Sequence, residues 1–276
     1  MKEITGLPDA APATLVTVHA VQGSVPREPG AWMAVFADRV AGTIGGGHLE
    51  FDAIAQARAL LRQQGGNVAP QVRRYPLGPS LGQCCGGVVQ LRFEPATAAG
   101  VRALHARRMA GWQPLALFGG GHVGRALVEV LGRLPFAVTW IDSRDEIFPA
   151  GVPANVRCEH SDPVQAAVRE LAPGARVLVM SFSHAEDLDV VAACLQRLRE
   201  RADLPYVGLI GSRTKWATFR HRLEQRGFGD DDFARITCPI GIPGVAGKEP
   251  EVIAVAVAAQ LLQVPPLPAS PPPRQP

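Results

Sequence analysis

Four sets of residues could do chemistry. The first is Cys84 and Cys85 in Gln83-Cys-Cys-Gly-Gly87. Adjacent cysteines lack the spacing of a structural zinc site, and they are poorly placed to pair with each other. A thiol among glycines has bare backbone N–H groups nearby, which favour a thiolate and a bound anion, so it suits a nucleophile or a soft-metal ligand. The same pair also reads as two small buried residues. The second set is Gly45-Gly46-Gly47-His48, ahead of an amphipathic run. The free N–H groups of a helix start can hold a phosphate, and His48 could donate to it or be a satisfied structural histidine. Glu50 is an acid in the first turn, favourable there without any further role. The third set is Gly119, Gly121 and Gly124, spaced GxGxxG. Gly119 makes the tight turn, Gly121 lets a phosphate reach the backbone, and Gly124 lets the helix pack close. The fourth is His184, Ser212 and Arg213, each just after a buried apolar run.

These residues need a frame. Residues 115–118 read as a buried strand, 125–131 as a helix and 136–141 as the next strand, closed by Asp142. That acid stands about 20 residues past the glycines, where dinucleotide sites place an acceptor for the ribose hydroxyl. It predicts NAD over NADP if a dinucleotide binds, although Arg144 blurs the discrimination. The alternation continues with strands at 156–158, 176–180 and 206–210, and helices at 163–171, 187–199, 215–226 and 250–262. Such a rhythm implies a parallel sheet covered on both faces. The strand ends carrying Gly119–Gly124, Asp142, His184, Ser212 and Arg213 then share one rim, where ligands of such sheets bind. Upstream, strands at 14–19, 31–36, 40–44, 71–75 and 88–93 surround a helix at 49–61, and a linking helix follows at 98–110. The expected class is α/β: a C-terminal Rossmann-like parallel-sheet domain (111–263) with a smaller N-terminal α+β domain (1–110). A Pro-rich, disordered tail (264–276) ends the chain.

Composition narrows the function. The chain has 276 residues, 47% hydrophobic and 19% charged, with a net charge of +3. That charge is too small to argue for nucleic acid, and the basic pairs Arg73-Arg74 and Arg107-Arg108 read as solvated faces. No apolar run reaches the roughly 18 residues a membrane helix needs. The five cysteines are odd in number, without framework spacing or an export signal, so reduced thiols in the cytoplasm are expected.

Longer strings sharpen the picture. They are Gly23-Ser-Val-Pro-Arg-Glu-Pro-Gly30, Gly42-Thr-Ile-Gly-Gly-Gly-His-Leu-Glu50, Leu77-Gly-Pro-Ser-Leu-Gly-Gln-Cys-Cys-Gly-Gly87, Gly119–Gly124, Val207-Gly-Leu-Ile-Gly-Ser-Arg213 and Pro239-Ile-Gly241. In this order they resemble the XdhC/CoxI family of xanthine dehydrogenase accessory proteins over residues 14–262. His48 and the Cys84-Cys85 pair are similar to its XdhC branch. Glu249 departs from the family pattern, which more often has a small hydroxyl residue there, and the Pro-rich tail lies outside it. The resemblance implies a chaperone rather than an enzyme, with no catalytic residue. It would bind molybdenum cofactor (molybdopterin), support its sulfuration and insert it into xanthine dehydrogenase, with a cysteine desulfurase as second partner and a homodimer as assembly. It also implies that the cysteine beside the glycines, Cys85, binds the cofactor, with Cys84 second; the Cys85 sulfur is then expected to meet molybdenum or its pterin environment. The Rossmann crevice could hold NAD or another nucleotide, the pterin, or nothing. An NAD-dependent oxidoreductase is the rival reading, and a docking protein that binds only apo-dehydrogenase is another.

Overall fold

The computed structural model describes residues 4–63, 69–77 and 86–267. They form two compact units, Met1–Arg108 and Met109–Pro276.

The first unit is an antiparallel sheet with helices. Its elements are β1 (Pro12–Gln22), β2 (Trp32–Val35), β3 (Val40–Gly42), α1 (Gly47–Arg62), β4 (Gln71–Pro76), β5 (Val88–Thr97) and α2 (Ala98–Ala110). The strand order is β3-β2-β1-β5-β4. Alternation along β1 sends Val16 and Val18 to the face that meets α1. The helix answers with Leu49, Ala53, Ala57 and Leu60, a stripe at helical spacing. Thr14, buried on the same strand, donates from Oγ1 to the Ala57 carbonyl at 3.1 Å. The opposite side is a second cluster in which Ala13, Ala34, Phe36 and Ala41 meet Ala98 and Val101 of α2. Strands β1 and β5 run past the expected ends because their register continues from Pro12↔Thr97 to Gln22↔Val88, with one bulge between Val18 and Ala20.

The second unit contains β6 (Gln113–Phe118), α3 (His122–Leu131), β7 (Phe136–Asp142), β8 (Val156–His160), β9 (Arg176–Val179), α4 (His184–Arg201), β10 (Tyr206–Leu209), α5 (Arg213–Glu224), α6 (Asp230–Phe233), β11 (Ile236–Thr237) and α7 (Pro250–Gln263). Its sheet runs β11-β10-β9-β6-β7-β8, and every pair is parallel. Numbered within this sheet the order is 3-2-1-4-5-6, that of a doubly wound dinucleotide-binding fold, with the switch point between β6 and β9. Leu115 and Leu117 face α3 and α7. Ala116 and Phe118 face α4 and α5. A strand buried on both faces shows no alternation, which is why 115–118 reads as one apolar run.

Three features depart from the sequence expectation. The helix expected at 163–171 is a 3-10 helix, Val164–Glu170. The short helix α6 and the two-residue strand β11 are additional; elements this short leave no periodicity to read. Finally, the end of α7 is held: the Val264 carbonyl accepts a hydrogen bond from the buried Arg176 at 2.6 Å. Among the described residues, no helix is long and apolar enough to cross a membrane.

Candidate functional site

The Gly119–Gly124 turn joins β6 to α3, at the carboxyl edge of the parallel sheet. Gly119 has φ +116°, and a Cβ there would strike the Met180 carbonyl just past the neighbouring strand β9. Its N–H donates to the Ile141 carbonyl at 2.8 Å, and its own carbonyl accepts from Trp140 Nε1 at 3.0 Å. A Cβ on Gly124 would strike that same Gly119 carbonyl. The tight turn and the close helix packing are thus as the spacing predicts. Gly121, the residue before α3, has open space where a Cβ would stand.

Asp142 ends β7 beside this turn and is 2% exposed. Its Oδ2 accepts the Gly120 N–H at 2.6 Å and Arg144 Nη2 at 3.0 Å. Its Oδ1 accepts the Arg144 N–H and Nε, both at 2.9 Å. A carboxylate offers about four lone-pair sites, and all of them are in use. Burial opposes the Asp142 charge, but the bonds from Arg144 and Gly120 outweigh it and hold the carboxyl below its ordinary range. The acid therefore stands where a ribose acceptor is expected, yet it serves the glycine turn and Arg144 instead. Ile147 crowds the same place, since a Cβ on Gly120 would lie 2.6 Å from Ile147 Cγ1. The Arg144 guanidinium in turn covers the exposed Phe182 ring at 4.2 Å.

The rest of the rim is closed in the same way. Ser181 N–H donates to Asp187 Oδ1 at 2.7 Å, and Phe182 N–H to Glu186 Oε2 at 3.1 Å. Lys215 Nζ reaches Asp187 Oδ2 at 2.7 Å and the Ile210 carbonyl at 2.8 Å. His184, the first residue of α4, is exposed, its ring 6.3 Å from Phe219 edge to face. Ser212 caps α5 by accepting the Lys215 N–H at 3.1 Å, and Arg213 follows on the exposed side. The fold thus brings Gly119–Gly124, Asp142, His184, Ser212 and Arg213 to one sheet edge. Asp142 and Ser212 already have structural partners there. The sequence marks Arg144 only as blurring the cofactor choice, and it gives no sign of the roles of Glu186 and the Asp187–Lys215 pair, because a helix-start acid has the same appearance whether or not it accepts a backbone amide.

The glycine turn of the first unit shows the same device. Gly45, Gly46 and Gly47 have φ of +125°, +76° and +65°, a run that side-chain-bearing residues avoid. Its donors converge on Glu50. Oε2 accepts Thr43 Oγ1 at 2.5 Å, the Ile44 N–H at 2.9 Å and the Gly46 N–H at 3.1 Å. Burial raises the Glu50 pKa, and the bonds from Thr43, Ile44, Gly46 and Gly45 more than reverse that. Glu50 is therefore not a bystander acid: it fills the seat the sequence offers to a phosphate. His48 points elsewhere, half-exposed, 3.7 Å from Asp52 and stacked on Phe51. Glu50→Gln is expected to cost about 1–2 kcal/mol at neutral pH, as charge-assisted bonds are lost from a half-exposed group. Because the folded pKa is depressed, this stability is present above the ordinary carboxylate pKa and is lost as pH falls through the folded value. Urea unfolding at neutral and acidic pH should show the difference between the two proteins closing in acid. A pH-independent difference would contradict the assignment.

Cys84 and Cys85 lie outside the described residues. The segment resumes at Gly86-Gly87, where the Gly87 carbonyl accepts the Leu77 N–H at 2.7 Å. A Cβ on Gly87 would lie 2.7 Å from the Gln22 carbonyl oxygen, so backbone meets backbone at the end of the cysteine motif. Cys158, Cys194 and Cys238 are thiols. Burial raises the pKa of all three, that of Cys194 to about 12. None of these three is an activated nucleophile at neutral pH.

Comparison with known proteins follows this division. The uncharacterized protein YqeB of Escherichia coli (strain K12) is 27% identical over 256 residues. The match covers 92% of this chain but 43% of YqeB, so the chain spans less than half of that relative. A crystal structure from Bacillus halodurans, described as a xanthine dehydrogenase, superposes with a TM-score of 0.74. It covers 95% of this chain and 94% of that one at 20% identity, a likeness that speaks for fold alone. Residues 8–76 match the XdhC and CoxI family, and residues 115–261 match the XdhC Rossmann domain. With both units matched in order, and the second match alone spanning more than half of the chain, the protein belongs to the XdhC/CoxI family.

Proposed function

We propose that the protein is a carrier of molybdenum cofactor that supports its sulfuration and delivers it to a xanthine dehydrogenase. Membership of the XdhC/CoxI family, matched in both units, is the observation that carries this reading. Molybdopterin is a dithiolene with an anionic phosphate tail, and here it is cargo. It must be held firmly enough to exclude oxygen and loosely enough to leave. A thiolate among glycines meets that need, because sulfur is a soft ligand for the metal and bare amides favour the thiolate. Cys85 is the proposed ligand to molybdenum, with Cys84 as its alternate. The Gly45–Gly47 amides are a poorer seat for the phosphate than the glycines alone suggest, since an incoming phosphate would have to displace Glu50. A cysteine desulfurase as sulfur donor, the dehydrogenase as recipient and a homodimer belong to the same proposal.

Oxygen-free titration with the cofactor tests it. Wild-type protein is expected to take up the molybdenum-bearing pterin and activate apo-dehydrogenase. Cys85→Ala should retain at least tenfold less cofactor. Equal retention and equal activation by the variant would remove Cys85 from the site, and no uptake by intact protein would sink the carrier reading.

The nucleotide reading draws on the 3-2-1-4-5-6 strand order and the open approach to Gly121. Against it stands Asp142, whose acceptors are all engaged. A ribose could bond there only after Arg144 swings away. Turnover of NADH by the purified protein would favour an oxidoreductase instead.

A further inference from the structure

The Gly23–Gly30 loop plays no part in the site described above. It is nevertheless locked in place. A Cβ on Gly45 would fall 2.8 Å from the Pro26 ring and 3.2 Å from Arg27 Cγ, so the loop lies directly on the glycine turn. Its far end is pinned by the Gly30 N–H to the Val18 carbonyl at 2.7 Å and the Ala31 N–H to the Glu28 carbonyl at 3.1 Å. Arg108, in the last turn of α2, reaches back across the sequence and donates from Nη2 to the Gly30 carbonyl. Between them is an open cleft of about 410 Å³, lined by residues 26–31 and Arg108.

Two arginines therefore line one cleft. Burial, and then the charge of Arg27, weigh against the protonated form of Arg108. Glu28 lines the same cleft, but among the described residues no ion pair joins it to either arginine. Helix polarity explains a basic residue in the last turn of α2. It does not explain why a second arginine, from a loop some eighty positions earlier, lines the same cleft. Two like charges on one cleft, with the nearby Glu28 paired to neither, form a seat for an anion. The planar forks of two arginines suit the several oxygens of a phosphate. A cleft of this volume also has room beyond a bare phosphate for the organic part of an ester.

We propose that the cleft between Arg27 and Arg108 is a binding site for phosphate or the phosphate group of a small monoester. The site stands apart from the cofactor reading and is tested separately. Full-length protein is titrated with inorganic phosphate, against chloride at matched ionic strength, by calorimetry and thermal unfolding. Saturable binding with a rise in Tm is expected from wild type, since a ligand of the folded state stabilises it. Arg27→Ala and Arg108→Ala should each weaken binding tenfold or more. Arg108→Lys should recover part of it, and Arg107→Ala, next in sequence but outside the cleft, should bind as wild type does. No saturable phosphate binding overturns the proposal, and so does undiminished binding by Arg27→Ala and by the double alanine variant. Arg27 is exposed in a loop, so its variant keeps the test open if Arg108→Ala fails to fold. Adding the molybdenum-bearing pterin separates the sources. If phosphate competes with it, the cleft takes the cofactor's tail; if phosphate binds without competing, the cleft takes a separate phosphate. If the pterin is never taken up while phosphate still binds, the carrier reading falls and the cleft remains.

Discussion

Arg197→Ala is expected to destabilise the second unit by about 3–5 kcal/mol, the range for breaking a buried ion pair from one side. Arg197 is 4% exposed. Its Nε and Nη2 grip Asp203 at 2.9 and 2.7 Å. The same guanidinium donates to the Val168 and Leu171 carbonyls, both at 2.7 Å. Those carbonyls sit at the end of the 3-10 helix Val164–Glu170, where a helix leaves acceptors without internal partners. One side chain of α4 thus holds the 3-10 segment and the turn leading into β10. Truncation takes the donor from the Val168 and Leu171 carbonyls and the partner from the half-buried Asp203. The effect has a pH signature. The Arg197 hydrogen bond holds the Asp203 carboxyl below its ordinary range. Its stabilisation is therefore full above the unfolded-state pKa and is lost as pH falls through the folded value. Urea unfolding should show a large gap between wild type and variant at neutral pH that narrows in acid. Arg197→Lys keeps the charge but not the fork and should fall between them. A loss below about 1 kcal/mol would mean that water replaces the guanidinium, contrary to its burial.

Gly119→Ala is expected to cost about 3–5 kcal/mol, summing a left-handed backbone and an overpacked contact. At φ +116° an alanine is strained, and its methyl group would be driven into the Met180 carbonyl. The backbone has no slack to yield, because Gly119 is bonded on one side to Ile141 and on the other to Trp140. The damage would spread to the strand end at Met180–Ser181, so any ligand of the crevice should be lost as well. Gly121→Ala is the control. Its φ is −68° and a Cβ there meets nothing within 4 Å, so stability should change by less than about 1 kcal/mol. Thermal unfolding of both variants checks this. Equal effects at the two positions would show that the turn is not held as the contacts imply.

The second unit was the more legible in sequence. Leu115–Phe118, Gly119–Gly124 and Phe136–Asp142 carry strand, turn and helix signals in one order, and the parallel sheet follows from it. Residues 163–171 misled, because Ala166, Ala167 and Val168 suit an α-helix, whereas the fold leaves a tighter turn whose carbonyls Arg197 completes. The glycine turns were found, but their contents were not. Glycine spacing reports that N–H groups are bare of side chains, and not what those groups are bonded to.

Local signals therefore determined most of the strands and helices and the tight turns, because each depends on neighbours a few residues away, and the order of several such motifs along the chain carried the family resemblance. The tertiary structure decided who occupies the turns. Asp142 reaches Gly120 from the end of the adjoining strand, and Glu50 bends back from α1 onto Gly46. Arg27 and Arg108 line one cleft only because α2 returns to the loop between β1 and β2. A hydrogen-bond donor accepts whichever acceptor the fold delivers to it, and that delivery depends on sheet register and helix placement, which no short stretch of sequence contains.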